Sequence, residues 1–182
     1  MLRKLGIEPG ERRAFAWGAL ALFVVGWVDV SVKNVAEVFF IKRVGVELMP
    51  LAFLASSLLL VATTWAAGRI AASRDRLRLL PRVFVGLGVL LVPLWLLVRL
   101  GLDSAFGLLL IASKQITSIA LLVFWIAMGD VLNSRQTKRL FAPMIAGMTI
   151  GTILGSFASK PLGEWLGIAG LLPVSVIMMA VG

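Results

Sequence analysis

Long runs of apolar residues, broken by short polar or charged intervals, dominate the chain. Runs able to cross about 30 Å of hydrocarbon, at about 1.5 Å per helical residue, lie at 14–40, 50–68, 81–98, 105–129, 140–158 and 165–182. The pattern predicts an all-α membrane protein: one domain, residues 1–182, built from six transmembrane helices. The intervals KRVGVELMP, GRIAASRDRLRLLPR, RLGLDS, DVLNSRQTKR and SKPLGEW carry the Gly, Pro, Asn, Ser or charge of turns, and none is long enough for a second domain. Trp17, Trp65, Trp95 and Trp165 fall near predicted helix ends, where an indole can keep its ring in the headgroup layer. The first apolar run far exceeds the core of a signal peptide, so the first helix is expected to be retained.

Composition agrees: 60% of the 182 residues are hydrophobic and 15% charged, with a mean hydropathy of +1.00, outside the range of soluble domains. The formal net charge of +9 is not spread over a polar surface that would suit nucleic acid. It is clustered between spans. Arg3, Lys4, Arg12 and Arg13 precede the first helix; Arg69, Arg74, Arg76, Arg78 and Arg82 follow the second; Arg135, Lys138 and Arg139 follow the fourth. The opposite side has only Lys42, Arg43, Arg99 and Lys160, so the positive-inside rule puts the N-terminus in the cytoplasm.

Lys33 and Lys114 are the two basic residues left over, and both fall inside spans. In GWVDVSVKNVAEVFF, Gly26 to Phe40, the spacing places Asp29, Lys33 and Glu37 on one helical face, drifting by only about 40° per step. A charge at mid-bilayer costs on the order of 2.5–3.5 kcal/mol, so this stripe is expected to face protein or water rather than lipid. Either Lys33 bridges the two carboxylates along its own helix, or the stripe lines a polar cavity. The fourth span adds a second polar face, Lys114 with Thr117 and Ser118. Lys33 and Lys114 lie at similar depths, roughly 10–14 Å from the outer ends of their spans, so both could reach one cavity. Lys114 could instead snorkel to the outer interface.

Gly147, Gly151 and Gly155 form a small-residue stripe on the fifth span, suited to close helix packing. Asp130 with Arg135, Lys138 and Arg139 either sets topology alone or forms an ion-pair gate at the cytoplasmic end. Histidine and cysteine are absent, which excludes thiolate zinc sites and the His-dependent nucleophilic pairs; no phosphate loop or carboxylate motif for metal or acid catalysis occurs either. No enzyme activity, metal or cofactor is expected.

Six helices with both ends inside, and charges on the first and fourth, resemble one half of a major facilitator superfamily transporter. Gly68, Asp75, Arg76 and Arg78 echo that superfamily's loop signature with altered spacing. VSVKNVAEVFF around Lys33, and FWIAMGDVLNSRQTKRLFAPMIAGMTIGTILGS from Phe124 to Ser156, are similar to the ATP/ADP antiporter (nucleotide translocase) family and its bacterial relatives. The resemblance implies that Lys33 contributes to nucleotide recognition and that Lys138 and Arg139 are the loop pair. The chain departs where those translocases place a glutamate early in helix four: it has Ser113, then Lys114.

The expectation is an alternating-access secondary transporter of the bacterial inner membrane, moving an organic anion, with ATP/ADP exchange one candidate. Substrate contacts would come from Asp29, Lys33, Glu37, Lys114, Thr117 and Ser118. The partners expected are the lipid bilayer and either a C-terminal half of the same transporter or a second copy of the chain, because no basic flank follows the last span. The alternative is a non-transporting sensor or anchor module of a larger protein.

Overall fold

The computed structural model describes residues 7–73 and 76–181. Arg3, Lys4, Arg74, Asp75 and Gly182 lie outside them, as do the side chains of Arg76 and Arg78. Among the described residues all regular structure is helical: α1 (Arg12–Arg43), α2 (Met49–Ser73), α3 (Arg76–Arg99), α4 (Asp103–Val131), α5 (Ser134–Leu166) and α6 (Leu171–Val181), with single 3-10 turns at Pro9–Glu11, Val46–Leu48 and Ile168–Gly170.

Five of these, α1 to α5, are long and apolar enough to cross a membrane. The start of the sixth is a correction to the sequence reading. SKPLGEW is not a loop: α5 continues through Pro161 and Gly163 to Leu166 and stops only at Gly167, whose φ of +74° suits glycine. Among the described residues α6 then has 11 residues, about 16 Å, beginning at Leu171 rather than at 165. A second correction is at DVLNSRQTKR. The Asn133 side chain accepts from the Gln136 N–H at 2.9 Å, and Gln136 Oε1 accepts from the Asn133 N–H at 2.9 Å. This capping box starts α5 at Ser134, so Arg135, Lys138 and Arg139 sit on helix rather than loop. Between α3 and α4 the turn is a Schellman motif, Leu102 N–H to Leu97 C=O and Gly101 N–H to Val98 C=O, with Gly101 at φ +72°.

α1 is the central and most enclosed helix, packed against α5, α4 and α6; α2 lies on α4, and α3 lies on α4 and α6. The core joins Leu22, Val25, Val32 and Val35 of α1 to Leu109, Phe124 and Met128 of α4 and to Leu140 and Met144 of α5. α2 is the least buried span and presents Leu51, Leu54, Leu58, Val61 and Trp65 outward. Such a surface suits lipid, which solvates it as well as protein would.

The α1–α5 contact is backbone to backbone. A side-chain Cβ built at Gly151 would collide with the Phe23 carbonyl, one at Gly147 would reach Ala19 O at 2.5 Å, and one at Gly155 would meet Val30 Cγ1 at 2.7 Å. The approach is mutual, because Gly26 of α1 fits against the Met148 carbonyl of α5. Thr152 Oγ1 donates toward Gly26 O at 3.3 Å across the same seam.

Candidate functional site

A cavity of about 420 Å³ opens between α1, α2 and α4. α1 supplies Asp29 and Lys33, and α4 supplies Lys114, Thr117 and Ser118. The i, i+4 spacing on α1 and the i, i+3, i+4 spacing on α4 turn both polar faces toward the same space. Five of the six residues expected to contact substrate therefore line one cavity. Glu37 joins them through its pair with Lys114.

The partner choice differs from the bridge along α1 that was one sequence reading of the stripe. Lys114 Nζ lies 3.3 Å from Glu37 Oε1, and its ammonium also sits 5.2 Å from the centre of the Phe53 ring. Both side chains of that pair are near 30% exposed, so the pair borders open space rather than being sealed. The Thr117 hydroxyl donates to Asp29 Oδ1 at 2.7 Å. Neither bond lies along α1. Among the described residues Lys33 makes no hydrogen bond or ion pair, although two carboxylates share its helix face.

The hydroxyls of Ser57 and Ser118 donate to the carbonyls of Phe53 and Lys114, one turn back on their own helices. Ser56 is different: its residue is only 4% exposed, and its Oγ has no partner. Its backbone carbonyl accepts from Gln115 Nε2 at 2.9 Å, while Thr63 Oγ1 donates to Gln115 Oε1 at 2.6 Å. Gln115, buried, thus ties α2 to α4 behind the cavity wall.

Phe53, Ser56, Ser57 and Leu60 of α2 also line the cavity and were not among the sequence candidates. The run LASSLLL has no charge to draw attention. The available signal was Ser56 and Thr63, two turns apart on one face of an otherwise lipid-like helix.

At the other end of α1, Arg139 Nη1 lies 2.9 Å from Glu8 Oε1 and Nη2 donates to both carboxylate oxygens of Glu11. The Glu8 N–H also donates to Glu11 Oε2 at 3.1 Å. That amide bond is the main cause holding the Glu11 carboxyl below its ordinary value, with the Gln136 amide and the Arg139 guanidinium acting in the same direction. A polar pocket of about 450 Å³ is lined by Glu8, Glu11, Asn133, Arg135, Gln136 and Arg139. Of the expected gate, Arg139 is engaged with the N-terminal turn, Arg135 borders this pocket, and Lys138 and Asp130 are exposed. Glu8 and Glu11 were not among the sequence candidates; two acids in an otherwise basic tail were the clue.

Among the described residues no group of three or more acidic side chains could hold a metal ion. No protein-family model, curated protein or solved structure matches the chain, so a functional reading rests on the chemistry of the cavity itself.

Proposed function

We propose that this chain is the N-terminal six-helix half of a major facilitator-like secondary transporter, moving an organic anion by alternating access. ATP/ADP exchange is the cargo nominated by the family resemblance. The observation that carries the reading is Lys33: an ammonium on a membrane-spanning helix, lining a polar cavity, with no partner among the described residues. An intramembrane charge is expensive unless compensated, so a cation left open is suited to a ligand's anionic group. Lys114–Glu37 between α1 and α4, and Arg139 on Glu8 and Glu11, are ion pairs at opposite ends of α1 that could exchange between two conformations. Clustering of Lys and Arg at one end supports a cytoplasmic N-terminus in the bacterial inner membrane.

The test is uptake by proteoliposomes carrying the full-length protein, with labelled organic anions and with ATP or ADP. Lys33→Ala is expected to abolish uptake and Lys114→Ala to weaken it. Transport left unchanged by both substitutions would remove both lysines from the site. Ligand binding without uptake would favour a sensor.

A further inference from the structure

The charges of the cavity do not act as two free cations. Lys114 is occupied twice, by Glu37 and by the face of Phe53. What remains is one ammonium and one carboxylate. Lys33 has no partner among the described residues, and Asp29 has a single neutral donor, Thr117, with no ion pair. They are one helical turn apart on α1, with Cβ atoms about 5–6 Å apart by helix geometry, and both line the cavity. The opposite wall adds one buried polar group. The Ser56 hydroxyl, on a residue 4% exposed in the opposite wall, lacks a hydrogen-bond partner.

From this dipolar arrangement we infer that the cargo is a small zwitterion, with its anionic group on Lys33 and its ammonium on Asp29. The inference rests on the transport reading and narrows its organic anion to one carrying a balancing ammonium. The four ionisable groups of the cavity are two acids and two bases, so a polyanion such as ATP would set several negative charges beside Asp29 and Glu37 with only Lys33 open to receive them. Like charges held at short range in a site of low dielectric oppose binding more strongly than they would in water. A dianion leaves Asp29 repelled, and a diamine leaves Lys33 repelled. A zwitterion satisfies both, and the volume of about 420 Å³ is at the small-molecule end of ligand clefts. The head group of an ethanolamine phospholipid carries the same pair of charges, so the experiment must separate the two sources.

The matched probes are 4-aminobutyrate, succinate and putrescine, which share a four-carbon chain and differ in the charges at its ends, with ATP as the polyanion. Thermal unfolding of the full-length protein is followed in detergent free of ethanolamine lipid. At about ten times Kd, 4-aminobutyrate is expected to raise Tm by about 3 °C or more, and the other three to leave it unchanged. Lys33→Gln and Asp29→Asn should each remove the shift. Because the comparison among probes uses the native protein, it decides even if a variant fails to fold. No shift with 4-aminobutyrate, or a larger one with succinate or ATP, overturns the zwitterion. Lys33-dependent uptake of succinate or ATP would then leave the transporter reading standing, whereas absence of uptake of every probe would count against both. A shift produced by phosphatidylethanolamine but not by 4-aminobutyrate would assign the cavity to a lipid head group and overturn the soluble cargo.

Discussion

Replacing Gly151 with alanine tests how α1 and α5 meet. The added methyl would overlap the Phe23 carbonyl oxygen, fall 2.8 Å from the carbonyl carbon and 3.0 Å from Phe23 Cα. All three are main-chain atoms, so no rotamer change relieves the clash and the helices must separate. Overpacking of this kind costs about 1–3 kcal/mol, opposed by the better helix propensity of alanine, up to about 1 kcal/mol. The same substitution at Gly163, further along α5, meets nothing within 4 Å. Only the propensity gain remains there, so Gly163→Ala should be neutral or slightly stabilising. Two identical changes in one helix are thus expected to differ by about 1–3 kcal/mol, or roughly 2–12 °C in Tm for a chain of this size. Thermal unfolding in detergent micelles, with intrinsic tryptophan fluorescence as the signal, reads this difference. Gly147→Ala should come next in cost, against Ala19 O at 2.5 Å, and Gly155→Ala last, because its nearest neighbour is the Val30 side chain at 2.7 Å. If Gly151→Ala is as stable as Gly163→Ala, the backbone contact between α1 and α5 is wrong.

Two further outcomes concern the attachments of α2 and of the N-terminal turn. Gln115→Leu removes the link from α4 to Ser56 O and Thr63 and is expected to loosen α2, the least buried span, by about 1 kcal/mol; hydrogen exchange should then speed up in α2 while α1 is unaffected, and equal acceleration in both would refute the local role. The Glu11 carboxyl is held below its ordinary value of 4.5, so its contribution to stability is fully present above that pH and is lost as pH falls through the lower folded value. Protection of the turn at Pro9–Glu11 should fall on acidification below about pH 4.5 in the native protein, and this acid step should be missing in Glu11→Gln.

Glycine spacing and charge register, both local properties, were enough to place the main features on their helices. A rotation of about 100° per residue puts Asp29, Lys33 and Glu37 on one face and Gly147, Gly151 and Gly155 on another, whatever they later touch. The apolar runs likewise located α1 to α5, because the length needed to cross hydrocarbon is a property of one helix alone. The ends were less legible. Asn133 and Gln136 cap α5 through two side-chain bonds that begin the helix inside a run of charges, and Pro161 with Gly163 resembled a break that the helix tolerates.

Partner choice belonged to the fold. Lys114 meets Glu37 across a separation of 77 residues and Arg139 meets Glu11 across 128. Whether Lys33 or Lys114 takes Glu37 depends on the crossing of α1 and α4, and that crossing follows from how closely side-chain volume lets each pair of helices approach. The wall formed by Phe53 and Ser56 has the same origin. Within α2 only the spacing of Ser56 and Thr63 sets that face apart from a lipid-facing row, and it is the packing of α4, through Gln115, that places Phe53 and Ser56 beside the charges of α1.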